Sequence, residues 1–517
     1  RLKAKEGIDL VADIVKITLG PKGRNNLIKD YGPVPPIIIN DGVSIAEKIQ
    51  SEDCFVNAGV ELANKICRKT NDIAGDGTTT TALLAQAIIS EGQKRLLAGE
   101  NPIDIKNEIE QDGEFIIESL KKISKPAEDK ETIRNIATIA SNNDTEVGDK
   151  ISEIIEVVGK NASILVEKSN DSKLKIETVK GIYFDKGWRV PAFVNQPQHM
   201  KAVLEDALIC VTDKKLHWVD DFEEFFKKII ENKLDKIVLI ADEIEGDALA
   251  TLAMTNKSIL MGQNGLHILA IEAPEFGQTK EEILEDICVM TGAQLISDKT
   301  GYSFMGAQPL EVLGACEKVV SDSKATTLVG CKGDIKAVEE RISGLKAHIA
   351  QLDPTEKITR EKLEKRLSIM ESGVGIIYAG GSTDVEAKDR NLRLEDAILA
   401  TRSAIKSGYV IGGGFTYLKL SEIAKTKILQ EALKQPLLQV AKNAGKSSDN
   451  ILEKVKENGL GWNAKTDEYG DLEKMGVIDA TLVVESAIKN AVSLASMFLT
   501  MENMIVEDID DRKEEKK

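Results

Sequence analysis

The 517 residues include 85 acidic and 68 basic side chains, a net charge of −17, with 42% hydrophobic and 30% charged residues. A chain of this length exceeds one hydrophobic core and predicts two to four domains, and its apolar content excludes a disordered polymer. The acidic balance repels phosphate backbones and only 4% of residues are aromatic, which argues against nucleic acid as a main partner.

The six cysteines, Cys54, Cys67, Cys210, Cys288, Cys316 and Cys331, form no C-x-x-C pair and lie near no histidine at metal spacing. This predicts a reducing compartment, the cytoplasm by default. An organelle matrix or a viral origin in a host cytoplasm stays open, because the chain starts at Arg1 within a helical pattern. No stretch approaches roughly 20 continuous apolar residues and the opening has no basic-then-apolar pattern, so no membrane is expected.

In chain order, Gly7–Val15 and Thr79–Ile89 repeat apolar residues three and four apart and predict packed helices. Between them, the proline-bounded run from Gly32 to Gly42 predicts a short strand closing on a turn at Asp41. From about Gly181 the pattern changes. Ile237–Ile240, Ile268–Ile271 and Leu295–Ile296 read as short buried strands between helices, a compact α/β domain. Residues 339–370 predict two exposed helices with a turn at Asp353-Pro354, followed by a strand at Gly375–Gly381. The last third returns to helices, broken at Gly412-Gly413-Gly414, and residues 508–517 form a charged tail expected to be disordered. No internal repeat is visible.

Two segments invite a phosphate. Thr18-Leu19-Gly20-Pro21-Lys22-Gly23-Arg24 offers free backbone amides after a helix, or is simply a helix end with its turn. Gly75-Asp76-Gly77-Thr78-Thr79-Thr80-Thr81 leads straight into a helix: its glycines permit close approach, its amides and hydroxyls can donate, and Asp76 points to magnesium. The alternative there is that Asp76 and Thr78 cap the helix. It is not a Walker A loop, since Gly-Lys-Ser/Thr is absent. Leu394-Glu395-Asp396-Ala397 is read as opening another helix, so that Asp396 is either its N-cap or a carboxylate that orients a water. His199, His217, His267 and His348 stand isolated, as surface or core residues.

Taken in order, Thr18–Asn25, Asp41-Gly42-Val43-Ser44, Ala74–Thr80, Glu395-Asp396-Ala397 with Ala400-Thr401-Arg402, Gly412–Gly414, and Asn463-Ala464 with Glu468-Tyr469-Gly470 resemble the group I chaperonins, the GroEL type, over essentially the whole chain. Phe184–Gly187, Glu245–Leu252 and Ala273–Gly277 resemble the apical signatures of that family. The resemblance implies a multidomain α+β and α/β fold. A mainly helical equatorial ATPase domain (1–121 and 407–517) is joined through a small hinge-like intermediate domain (122–179 and 374–406) to an α/β apical domain (180–373).

It also implies roles. Thr18, Leu19, Gly20 and Pro21 would line the nucleotide, and Asp76, Gly77, Thr78, Thr79 and Thr80 would hold phosphates, Asp76 with magnesium. Asp41 would stand near the γ-phosphate and Asp396 would orient the attacking water. Gly413 would touch the ribose side, with Asn463, Ala464 and Asp479 around base and sugar. The cofactors implied are ATP, magnesium and potassium. The partners implied are non-native polypeptides, a homo-oligomeric ring of sevenfold symmetry and a co-chaperonin lid. Clients would be held by Phe222, Phe225, Phe226, Leu249, Ala253 and Met254, outer members of two helical apolar stripes, with Trp188 and Phe193 extending the patch, although such stripes usually face a core.

Some positions depart from the family. Asn40 replaces a common Lys before Asp-Gly-Val, Ala192 replaces an aromatic beside Phe193, and the helix around Phe222 carries an extra residue. Leu438 and Ser447 replace an Arg–Glu pair at the ring–ring contact, which predicts weak association between rings. The expected activity is therefore an ATP-dependent protein-folding chaperonin. A ring-forming holding scaffold with little ATP turnover is the alternative. A metabolic ATP-dependent enzyme would need a pocket of converging polar groups that the sequence does not reveal.

Overall fold

The computed structural model describes residues 1–29, 36–159, 163–169, 173–197, 200–260, 265–352, 356–371, 373–381 and 383–506. His199, the Asp353-Pro354 turn, most of the proline run before Ile37 and the charged tail lie outside them. The chain packs as two units: 1–153, 166–175 and 378–517 form the first, 154–165 and 176–377 the second. The segments assigned above to an intermediate domain fall for the most part in the first unit.

Both ends of the chain build the first unit's helical core. Helix Leu2–Val15 buries Ala4, Ile8, Val11 and Val15 against helix Cys54–Ala74, and the approach is so close that a Cβ on Gly7 or Gly59 would strike the facing backbone. Helix Thr481–Thr500 runs through the centre. Its buried Val484, Ala487, Ile488, Ala491 and Ala495 recur three and four apart, and it packs on helices Thr78–Leu97 and Pro102–Ile123. Among the described residues this is a helix long and apolar enough to cross a membrane, but 72% of its most apolar window is buried within the protein. Glu485 and Lys489 interrupt the run, which is why it does not stand out in the sequence. The two chain ends are also stitched by a buried carboxylate. Asp112 accepts from the Lys425 and Thr426 backbone N–H groups at 3.0 and 2.7 Å and from the Thr426 hydroxyl at 2.8 Å, just where helix Lys427–Ala432 begins.

The second unit is built on an eight-stranded mixed sheet. Its order is Ser163–Lys168, Gly373–Ala379, Lys175–Phe184, Thr326–Cys331, Gly314–Ser321, Ala202–Val211, Lys236–Ala241, His267–Glu272. The last three strands are parallel, with Ile209 opposite Val238 and Val238 opposite Leu269. Helices Glu223–Glu231 and Gly246–Leu260 make the crossovers, the arrangement that buried apolar runs alternating with helices predict. Leu295–Ile296 does not form a strand of its own; Ile296 makes a single bridge to Thr212.

Helices Ile335–Gln351 and Lys357–Glu371 are largely exposed, as expected, and pack on helix Gly277–Thr291 through a few buried residues, among them Val338, Leu345, Leu363 and Met370. Their charges are partly internal. Buried Arg366 holds buried Asp286 through two bonds of 2.7 and 2.9 Å and reaches Glu282 at 2.6 Å, while Arg341 adds a further bond to Asp286 at 2.8 Å. Removing one member would strand a buried charge.

Candidate functional site

A cavity in the first unit is walled by segments far apart in sequence. After helix Leu2–Val15 the chain tightens into a 3₁₀ turn, Lys16–Thr18, closed by the Thr18 hydroxyl donating to the Val15 carbonyl at 2.8 Å. Asn443 fixes the following loop by donating to the Lys16 and Leu19 carbonyls, each at 2.9 Å. Thr18, Leu19, Gly20 and Pro21 thereby face the cavity.

Helix Cys54–Ala74 stops at Gly75, which is left-handed at φ +76°, and helix Thr78–Leu97 starts two residues later from Gly77 with no side-chain cap. The Asp76 side chain accepts from the adjacent Gly77 N–H and the Thr78 side chain caps nothing. The capping alternative therefore fails here, and the first N–H groups of the helix are left for a ligand. The turn is anchored from beneath. The Thr81 hydroxyl donates to the Gly77 carbonyl at 2.9 Å and lies 3.1 Å from the Thr70 hydroxyl, which accepts from Asn490 at 2.9 Å.

Asp41 follows strand Ile37–Ile39, but it does not sit in a turn. It caps helix Gly42–Lys48, accepting from the Val43 and Ser44 N–H groups at 3.2 and 2.8 Å. Gly42 is required by contact: a Cβ there would come within 2.4 Å of the Thr79 hydroxyl and 2.7 Å of that of Thr78. Both helix starts thus converge on one point.

Asp396 is not an N-cap. It lies midway along helix Asp384–Ser407, which Thr383 caps. Asp389, Leu392, Arg393 and Asp396, spaced 3, 1 and 3 residues apart, share one helical face and all line the cavity. This helix is docked against the loop it serves: Leu399 fills the space a Cβ on Gly75 would need, 2.1 Å away, and the Ser403 hydroxyl donates to the Ala74 carbonyl at 3.0 Å. Gly413, Asn463, Ala464 and Asp479 also line the cavity, with Tyr417, Val440 and Trp462 adding apolar surface that would suit a planar base.

The structure therefore places Thr18, Leu19, Gly20, Pro21, Asp41, Asp76, Gly77, Thr78, Thr79, Thr80, Asp396, Gly413, Asn463, Ala464 and Asp479 around one cavity. Sequence reasoning missed Ile139, Ala140, Asn142, Asn143, Asp389, Leu392 and Arg393, which also line it. The last three could have been found by stepping three, four and seven residues back from Asp396. The consecutive Asn142 and Asn143, both left-handed at φ 60° and 65°, carry only the weak signal that asparagine tolerates that region.

Charge is crowded here. Burial, with Asp41 adding repulsion, pushes the Asp76 carboxyl up to about 6. Burial and Asp76 push Asp479 up to about 7. Asp396 is raised well above the carboxylate range by burial first, then by Asp41, Asp76 and Glu395. Such a cluster fits a cation. Asp41 and Asp76 supply hard carboxylate oxygens, the donors that magnesium takes before completing its shell with water and phosphate oxygens.

The second unit corrects the client-binding residues. Phe193, Phe222, Phe225 and Phe226 are core: they are at most 7% exposed, and Phe225 packs edge-on against Phe226 and Phe304. The outward face of helix Glu223–Glu231 carries Glu223, Glu224 and Lys227, with Ile230 as its exposed apolar residue. On helix Gly246–Leu260, Met254 is 71% exposed, while Leu249 and Ala253, like Trp188, are half-buried against the core.

The family model described as the TCP-1/cpn60 chaperonin family matches residues 11–508. Among solved structures, the chain is similar to the chaperonin gp146 from the bacteriophage EL 2 (Pseudomonas aeruginosa), crystallised in presence of ATP-BeFx. In one crystal form the TM-score is 0.70 at 21% identity, covering 98% of each chain. In a second form it is 0.61 at 22% identity, covering 98% of this chain and 97% of that one. A family match spanning almost the whole sequence, joined to a fold shared end to end, leads to one statement: this chain belongs to the TCP-1/cpn60 chaperonin family.

Proposed function

We propose that this chain is an ATP-hydrolysing chaperonin that captures non-native polypeptides on its second unit and assists their folding within a homo-oligomeric ring. The observation that carries the reading is the meeting of Asp41, Asp76 and Asp396 with the uncapped start of helix Thr78–Leu97 in one cavity. Phosphoryl transfer asks little covalent chemistry of the protein; positioning and charge stabilisation supply most of the catalysis.

The phosphates lie across the N–H groups of Thr78, Thr79 and Thr80, where the helix dipole and free donors favour an anion. Asp76 and Asp41 would hold magnesium, which would neutralise phosphate charge and favour the ionised form of the raised Asp76 carboxyl. Asp396, on the docked helix, would accept a hydrogen bond from the attacking water and take its proton once a bound cation offsets the Asp41 and Asp76 charges that help to keep its carboxyl protonated. Because that contact depends on helix Asp384–Ser407 resting on Gly75, hydrolysis is coupled to the docking of the helix. The chaperonin gp146, which shares the fold, was crystallised with an ATP analogue. Ring symmetry, a co-chaperonin lid, potassium and a cytoplasmic location remain expectations of the resemblance, as does weak ring–ring association through the partly buried Leu438 and exposed Ser447.

The test is steady-state phosphate release by the purified protein and by Asp396→Ala, with particle mass recorded in the same samples. Turnover on a large particle, lost in the variant, supports the reading. An intact ring without turnover favours the holding scaffold.

A further inference from the structure

The cavity's charges do not balance. Five carboxylates line it, those of Asp41, Asp76, Asp389, Asp396 and Asp479, and among the described residues the only Lys or Arg side chain lining it is Arg393. Asn40, at the edge nearest Asp41, is neutral. A triphosphate adds up to four negative charges to this wall, and one divalent cation offsets only two of them. In a partly enclosed site the residual repulsion is poorly screened.

Arg393 is placed to offset it. It lies three residues before Asp396 on the same helical face, so the two side chains leave the helix about 5–6 Å apart at their Cβ atoms. Its Nη2 bonds Asp389 at 2.6 Å, whereas its Nε is buried without a hydrogen-bond partner. An orphaned guanidinium N–H in a ligand cavity is a donor without its acceptor, and the fork of a guanidinium matches phosphate oxygens. The Asp389 pair gives the side chain its direction: as an i, i+4 contact between two partly exposed groups it adds little stability, but it limits where the guanidinium can swing.

We propose that Arg393 binds the terminal phosphate of the nucleotide, as the cavity's own counter-charge, and so makes the site prefer a triphosphate over a diphosphate. This rests on the ATP reading above and adds a residue to it. It also ties recognition to the docked helix, because Arg393 and Asp396 ride on one helix: a terminal phosphate held by Arg393 steadies Asp396 where the docked helix already puts it.

The test compares binding of a non-hydrolysable ATP analogue and of ADP, both with magnesium, by calorimetry on the full-length protein. Arg393→Gln is expected to weaken the analogue by about 10- to 100-fold while changing ADP little. Arg393→Lys is expected to retain part of the preference, and Asn40→Lys placed in the Arg393→Gln protein is expected to restore part of it by returning a positive charge to the same cavity. A purely structural role for Arg393 predicts equal losses for both nucleotides and no rescue by Asn40→Lys; either result overturns the proposal. Should Arg393→Gln fail to fold, the ratio measured for Arg393→Lys decides, an unchanged preference overturning it. If the unaltered protein binds neither nucleotide, the ATP reading itself falls; if it prefers the analogue and Arg393→Gln keeps that preference, only this inference does.

Discussion

The cavity of the first unit and the apolar helices of the second both looked functional in the sequence, and the structure treats them differently. Every residue assigned to the nucleotide lines one cavity, whereas half of those assigned to clients are core. The difference lies in what each signal depends on. A phosphate loop is specified by local backbone needs, a left-handed Gly75, an uncapped helix start and a glycine too crowded for a Cβ, and these survive in a linear reading. Which side of an amphipathic helix faces outward depends on its neighbours. The aromatic cluster of Phe222, Phe225, Phe226 and Phe304 turned inward once sheet and helix met, and left a charged outer face.

The largest expected effect breaks the comparison on the catalytic side. Asp396→Ala should lower phosphate release by about 10²- to 10⁴-fold without lowering the temperature at which either unit unfolds. A single-turnover assay beside a calorimetric scan checks both. A variant that turns over normally would reduce Asp396 to a bystander on the cavity wall.

Next comes the second unit. Phe225→Ala should cost about 3–5 kcal/mol through the cavity it opens, seen as faster hydrogen exchange in helix Glu223–Glu231 and strand Lys236–Ala241. Met254→Glu should cost less than about 0.5 kcal/mol and yet weaken capture of an unfolded protein, measured as the amount held in the ring after denaturant dilution. The opposite pattern, a stable Phe225→Ala protein that fails to capture, would mean that the core aromatics turn outward in another state of the ring.

How much could be read in advance follows the same division. Helix Thr78–Leu97 and the parallel strands around Val238 were legible because their apolar periods are uninterrupted. Helix Thr481–Thr500 was legible only as part of a helical last third, not as the centre of the core, since Glu485 and Lys489 break its apolar run. Asp396 was legible as a motif and misread as a helix start: Leu394 and Glu395 look like a beginning only if the charged, irregular stretch before them is not counted as helix. Asn142 and Asn143 reach the cavity through a turn with no local sign of its destination. Arg366 lay within the charged stretch 339–370 expected to be exposed, because nothing in a sequence marks its pairing with a buried Asp286 80 residues away.

A smaller effect probes the docking of Asp396. Gly75→Ala places a methyl where Leu399 now sits and in a backbone region that L-residues avoid, so helix Asp384–Ser407 must lift. Turnover should fall by at least about tenfold, since a misplacement near 1 Å can cost a hundredfold, while nucleotide affinity falls less, because Thr78–Thr80 keep their positions. Equal losses in affinity and turnover would show that the loop, rather than the docked helix, was disturbed.

The smallest effect is on pH, and its sign follows from the raised carboxyl of Asp76. Folding lifts that group from an ordinary value near 3.8 to about 6, so between those values the folded chain binds more protons than the unfolded one. Stability from this group is therefore present at low pH and lost as pH rises to about 6, a penalty of the order of 1–2 kcal/mol above that point after allowance for solvent. Asp76→Asn removes it. The variant should exchange more slowly than the unaltered protein in helix Thr78–Leu97 at pH 8, and the gap should close as the pH falls through 6 toward 4. For Phe225→Ala, whose cost is packing, the corresponding gap in its own helix should stay constant across the same series. Magnesium with ADP should reverse the order at pH 8, stabilising the chain that keeps Asp76 and leaving Asp76→Asn unchanged. An Asp76→Asn gap independent of both pH and magnesium would mean that Asp76 shapes the turn without holding charge for a ligand.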